Sequence, residues 1–209
     1  MRKETTETSI LLIEALGNGE WAVRWDFKPK LDEEGKETGV NWYEEEILYH
    51  IPQIDEVREL ITAWHNKQVD GAILRGCRWN DIPVWLSMEN QFNYKSVFDL
   101  AAMTEPQVQA WDAGHPDLAG KEYTMQTVTD ESGATFEVPV PTGRPKSVLP
   151  VQFKFGTDDE PQYHTFTTLE ELTEFYTYTM AYIQGCYTEG WTRKDSFDYS
   201  VYEEAVAAL

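Results

Sequence analysis

Apolar and polar residues alternate over the first part of the chain, and after residue 52 the alternation gives way to helical spacing. Residues 9–16 read as a strand, Gly17-Asn18-Gly19 as a tight turn, and residues 20–27 as the returning strand, with Trp21, Val23, Trp25 and Phe27 on one face. The polar run Asp32-Glu33-Glu34-Gly35-Lys36-Glu37 is a solvated loop, and residues 40–49 form a third strand of the same meander. Pro52 opens a helix in which Ile54, Val57, Leu60, Ile61 and Trp64 share one stripe, with Gly71 bounding its C-terminal side. That stripe is expected to cover the meander.

A second hairpin is predicted at residues 76–86, turning at Asn80-Asp81, with Pro83 marking a short or edge strand. Ser87 is placed to cap a helix over residues 88–103, and Thr104-Glu105-Pro106-Gln107 resembles a capping box opening a shorter helix that Gly114-His115-Pro116 stops. Between residues 120 and 150 the texture becomes polar. A hairpin-like pair, 122–128 and 134–138, surrounds Asp130-Glu131-Ser132-Gly133, and Pro139, Pro141, Pro145 and Pro150 punctuate a tether. A third hairpin, 151–155 with 163–166, precedes the capping box Thr168-Leu169-Glu170-Glu171 and a long helix. One face of that helix carries Leu172, Phe175, Tyr176, Ile183, Cys186 and Tyr187. Gly190 is placed to end it and Asp195 to cap a short terminal helix containing Tyr199 and Tyr202.

The predicted fold class is therefore α+β: antiparallel hairpins and a meander packed against a few helices, with a long C-terminal helix and an inserted β-hairpin arm. Three parts are expected. Residues 1–75 form an N-terminal meander plus helix, residues 76–119 with 150–209 an α+β core, and residues 120–149 a proline-tethered insertion.

Composition adds charge and aromatics to this picture. Across 209 residues, 37 acidic against 17 basic side chains give a formal net charge of −20, which opposes binding to phosphate backbones and to anionic lipid. Nucleic acid is therefore not an expected partner. No apolar run approaches the ~20 residues of a membrane span, and the polar start does not read as a signal peptide, so membrane insertion is not expected either. Cys77 and Cys186 stand far apart and outside any paired spacing, which indicates neither a zinc site nor a disulfide framework.

Candidate chemistry is sparse. Gly17-Asn18-Gly19-Glu20-Trp21-Ala22 matches a dinucleotide-loop pattern, but strand alternation follows it where such a loop requires a helix. His50, His65, His115 and His164 lack metal-ligand spacing. Glu44 and Glu46 share a strand face about 7 Å apart, loosely the separation of a glycosidase pair, and are read as a solvated acidic face. Asp158-Asp159-Glu160 is read as a hairpin tip and not as a calcium loop. No catalytic, cofactor-binding or metal-ligating residue is assigned, and the chain is expected to be a non-enzymatic binding component without a cofactor. The candidate interaction surface is aromatic: Trp21, Trp25, Trp42, Trp79, Trp85 and Tyr163. Glycan binding on exposed members of that set is the alternative, and a hydrolase using acidic residues is a more distant one. The residues leave the homo-oligomeric state open.

Two segments carry a family resemblance. Val84-Trp85-Leu86-Ser87-Met88-Glu89-Asn90-Gln91-Phe92-Asn93-Tyr94-Lys95 is one; Pro150-Val151-Gln152-Phe153-Lys154-Phe155-Gly156, running on to Gly190-Trp191, is the other. They resemble a phage-associated family of unknown function, found in phage and prophage proteins of gut Bacteroidales-like bacteria and often encoded near tail or fibre genes. The resemblance covers roughly residues 76–103 and 150–202, with 120–150 as an extra insertion. It implies a virion-associated or assembly role in the tail, fibre or capsid-accessory apparatus, other phage structural proteins as partners, and location in the virion and, during assembly, the host cytoplasm. It implies no catalytic residues.

Overall fold

A computed structural model describes residues 1–7, 10–157 and 159–209. The fold is α+β, and all strand pairing among the described residues is antiparallel. Contacts group the chain into two compact units, Met1–Asp70 with Tyr187–Leu209, and Gly71–Cys186.

The first unit is built on a four-stranded sheet of β1 (Arg2–Thr5), β2 (Ile13–Gly17), β3 (Glu20–Leu31) and β4 (Glu37–Leu48), in the order β1-β4-β3-β2. The β2–β3 turn is Asn18-Gly19, with φ of 54° and 81°, the left-handed pair a two-residue hairpin needs. The dinucleotide-like pattern is therefore a hairpin, as its alternation predicts. Residue 9, the predicted start of this strand, lies outside the described residues, and β2 begins at Ile13.

Strand β1 has no apolar alternation and was not predicted. Its charges make it a strand: Arg2 pairs with Glu44, Lys3 with Glu45, and Glu4 with Lys30, while Glu4 also accepts from Trp42 Nε1. Trp21, Val23 and Trp25 hold one face of β3, but Phe27 does not join them. A bulge between Trp25 and Lys28, with Asp26 at φ 57°, sends the Phe27 ring onto Tyr43 at 5.6 Å.

Helix α1 (Ile54–Leu74) sets Val57 and Ile61 in the core with Ile13, Val23, Trp25 and Tyr202. Gly71 does not bound it. The helix continues to Leu74 and ends at Gly76, whose φ of 75° is left-handed and where a side chain would run into the Val84 carbonyl. Within the first unit, Gly190 lies against Val69 inside the helix it was expected to end.

In the second unit, β5 (Cys77–Trp79) and β6 (Ile82–Val84) turn through Asn80-Asp81, as predicted. Ser87 caps α2 (Met88–Gly114) by accepting from Asn90 N at 3.2 Å. The capping box at residues 104–107 opens no second helix; α2 runs through it, with Pro106 on the exposed side. Strands β7 (Tyr123–Thr129) and β8 (Thr135–Pro141) form one hairpin, and β9 (Val151–Gly156) and β10 (Pro161–Phe166) another.

Helix α3 (Leu169–Asp195) starts on the predicted capping box, with Glu171 N donating to Thr168 Oγ1 at 3.2 Å. Its Leu172 and Phe175 are fully buried, and Phe175 meets Phe153, Phe155 and Phe166 of β9–β10. The predicted helix-on-hairpin packing is thus present. Asp195 closes α3 and does not cap α4 (Ser200–Ala207); Asp198 instead accepts from Ser200 N and Oγ.

Candidate functional site

The six candidate aromatics divide between the units and differ in exposure. In the first unit Trp25 is buried in the core, while Trp21 and Trp42 are half-buried, Trp42 with Arg2 over its ring at 5.3 Å. In the second unit Trp79 is core, packed edge-on against His164 and Phe175. Trp85 and Tyr163 remain open, 43% and 60% exposed. Trp85 is fixed by an Nε1 bond to Gly156 O at 2.7 Å, and Tyr163 pairs with Lys154 on the same β9–β10 ribbon. Alternation in that ribbon sends Phe153, Phe155 and Phe166 inward, so Tyr163 lies on its outer face.

A larger exposed feature is the β7–β8 arm. Among the described residues, neither strand pairs with a strand outside this hairpin. Cross-strand register places Tyr123 and Met125 with Pro139 and Pro141 on one face, and Val128 and Phe136 with Val138 and Val140 on the other. Tyr123, Met125, Val128 and Phe136 are all exposed. The tip is ordered by Asp130, whose Oδ1 accepts from Ser132 N at 2.8 Å and Ala134 N at 3.0 Å; the hydrogen bonds it accepts hold its carboxyl below the usual value.

The arm's return to the body is anchored on α2. Arg144 donates two hydrogen bonds to Asp112, each 2.7 Å, and this pairing pulls the Asp112 carboxyl down. Glu105, buried within α2, accepts from Ser147 Oγ at 2.7 Å and Val148 N at 3.0 Å. The sequence pattern presented Glu105 only as an inner position of a capping box, and nothing local marked it as an anchor for a segment some forty residues away.

The other prominent polar constellation crosses the four-stranded sheet. Lys3 Nζ lies 2.6 Å from Glu45 Oε1, Arg24 Nε 2.7 Å from Glu45 Oε2, and Arg24 Nη1 2.6 Å from Glu14 Oε2. This row links all four strands, with Arg24 and Glu45 buried at its centre. Of the carboxylates in Glu44-Glu45-Glu46, sequence reasoning singled out the outer two. Glu44 is ion-paired with Arg2 at 3.1 Å and largely screened from solvent, whereas Glu46 is exposed; the buried member is Glu45. An open cleft of about 390 Å³ in the same unit is lined by residues that include Glu7, Leu12, Phe27 and Lys28.

The histidines have structural neighbours. His50 lies 2.9 Å from Glu56, His164 2.8 Å from Glu171, and His115 stacks on Trp111. His65 is buried between Trp64 and Phe197, and burial pushes its pKa down. Burial, with Cys186 nearby, pushes the Cys77 thiol up to about 11, so Cys77 is protonated near neutrality. Among the described residues no group of three or more His, Cys, Asp or Glu side chains is placed to hold a metal ion, and no helix is long and apolar enough to cross a membrane. Asp158 of the predicted acidic hairpin tip lies outside the described residues.

Comparison with protein-family models, with curated proteins and with solved structures returned no match.

Proposed function

We propose that this chain is a non-enzymatic assembly component of a bacteriophage particle, in the tail, fibre or capsid-accessory apparatus, acting by protein–protein contact through the β7–β8 arm. The observation that carries the reading is an arm with apolar side chains on both faces and, among the described residues, no neighbouring strand on either edge. A lone two-stranded hairpin is marginal in water, and exposed apolar surface joined to free strand edges is the chemistry of β-augmentation by a partner. Glu122, Asp130, Glu131 and Glu137 surround those apolar positions, so the fitting partner surface is basic and protein, not nucleic acid. The resemblance of residues 76–103 and 150–202 to phage-associated proteins supports the particle context.

The test is affinity capture from induced lysogens with the full chain and with a Met125→Glu/Phe136→Glu variant, alongside mass spectrometry of purified virions. Capture of a virion protein by the parent chain and not by the variant is expected, with weaker capture as salt rises. Equal capture by both, or capture of no particle protein, rejects the arm-mediated role. A second reading rests on Trp85 and Tyr163, the two candidate aromatics left open, Trp85 bonded to the end of β9 at Gly156 and Tyr163 on β10: an exposed ring of this kind would stack on a sugar ring. Saturable binding to one glycan class on an array, abolished by Trp85→Ala, is the result that would favour it.

A further inference from the structure

Helix α2 is apolar on two sides. Its inner side, with Tyr94, Ala101 and Val108, is buried in the second unit. Its outer side carries Met88, Phe92, Leu100 and Met103, which are 85%, 73%, 43% and 60% exposed. Met88, Phe92, Lys95, Asp99 and Met103 follow one another at intervals of three or four residues, so they form one stripe along the helix, flanked by Leu100. The stripe runs about 22 Å at 1.5 Å per residue. Among the described residues, nothing buries Met88, Phe92 or Met103 on this face.

The order of residues along the stripe indicates what covers it. Read in either direction, the outer side of the helix, stripe and flank together, places methionine at the ends (Met88, Met103), a large apolar side chain inside them (Phe92, Leu100), and the small, exposed Ser96 near the centre. Lys95 and Asp99 form an ion pair on the same face, both more than half exposed. A twofold axis near Ser96 would set two such helices antiparallel, Phe92 of one copy against Leu100 of the other and Met88 against Met103, with Ser96 small enough to let the helices approach. Lys95 of each copy would then lie within reach of Asp99 of the other. An interface of this kind must be self-complementary, since a twofold axis presents the same patch to itself.

We infer that the outer face of α2 is a homodimer interface, its occupant the same face of a second copy. Little of the net charge of −20 per chain falls on this face: Lys95 and Asp99 cancel, and the exposed Glu89 lies at its edge, between Ser96 and Leu100. Repulsion between the two copies as wholes is long-range and screened by salt, while the apolar contact is not. Dimerisation should therefore strengthen as salt rises, opposite to the salt response expected for the arm and its basic partner. This interface does not depend on what the arm binds.

The experiment is sedimentation equilibrium of the purified full chain across a concentration series at low and high salt, with circular dichroism to confirm that each variant is folded. A concentration-dependent monomer–dimer equilibrium is expected for the parent chain. Phe92→Glu with Met103→Glu should weaken it by about 100-fold or more, the loss typical of two anchor side chains. Lys95→Asp alone and Asp99→Lys alone should each weaken it, because like charges then meet across the axis, and an equimolar mixture of those two variants should recover dimer as the heterologous pair. A parent chain that stays monomeric throughout the series overturns the inference. So does a dimer indifferent to the double glutamate variant, or a mixture that recovers nothing beyond its separate components; the last two would assign self-association to another face.

Discussion

Replacing Arg24 with methionine tests how the first unit tolerates charge inside its sheet. Arg24 donates to Glu45 and Glu14 and also to the Leu11 carbonyl, and its guanidinium lies 5.8 Å from the Tyr43 ring centre. Methionine keeps most of the aliphatic stem and removes every one of those donors. Glu14 is partly exposed and can rehydrate, whereas Glu45 is nearly closed to solvent and keeps, among the described residues, Lys3 as its charged partner. Removing one member of a buried pair costs about 3–5 kcal/mol because the survivor is an uncompensated charge; with Lys3 remaining, the lower end, about 3 kcal/mol, applies. For a denaturant slope of about 2 kcal/mol per molar urea, the midpoint should fall by about 1.5 M. Urea titration followed by tryptophan fluorescence gives the midpoint, and hydrogen exchange at β3 and β4 amides shows whether the loss is local to the sheet. The control is Lys36→Met, whose pair with Glu34 is exposed at both ends and should contribute less than about 0.5 M. If Arg24→Met behaves like Lys36→Met, the charge row contributes no stability and the reasoning fails.

The same row predicts an acid dependence. Burial opposes the charged form of Glu45, but hydrogen bonds from Lys3 and Arg24 outweigh it and hold the carboxyl below its ordinary 4.5, so its stabilisation is complete above about pH 4.5 and lost as pH falls through the lower folded value. Urea midpoints measured down through that range should drop in the parent chain and flatten in Glu45→Gln. A methyl group at Gly190 would overlap Val69 Cγ2, so Gly190→Ala should destabilise by about 1–3 kcal/mol despite alanine's better helix propensity. In a Val69→Ala background the same change should become neutral or stabilising, read as melting temperature. Replacing residues 122–141 by a short linker should leave cooperative melting intact, because the arm is exposed. Extending the deletion to residue 149 should lower the melting temperature by several degrees, since it strips the buried Glu105 of its Ser147 and Val148 donors.

Local chemistry accounts for the features that could be read directly from the chain. Asn18-Gly19 and Asn80-Asp81 make their turns within two residues, and Ser87 and Thr168 cap helices through bonds to the third residue onward. Leu172 and Phe175 are core because a helical stripe needs only its own spacing to be recognised. Such signals fail where the deciding partner is distant. Gly71 and Gly190 resemble helix stops, yet both helices continue through them, because α1 turns at Gly76 and Gly190 is where α3 meets Val69. Thr104-Glu105-Pro106-Gln107 resembles a helix start, yet Glu105 turns to a segment 42 residues on.

For this protein the sequence by itself determined the α+β class, the hairpins and most helix positions, since turns, caps and periodicity act over a few residues. Only the tertiary structure decided that Arg2–Thr5 is a strand, that Glu45 and not its neighbours is the buried carboxylate, and that of six candidate aromatics Trp85 and Tyr163 are the ones left open. Burial and ion pairing are properties of neighbours brought together across tens of residues. The Arg24–Glu45 bond spans 21 positions and the Arg2–Glu44 bond 42, separations over which no local pattern carries a signal.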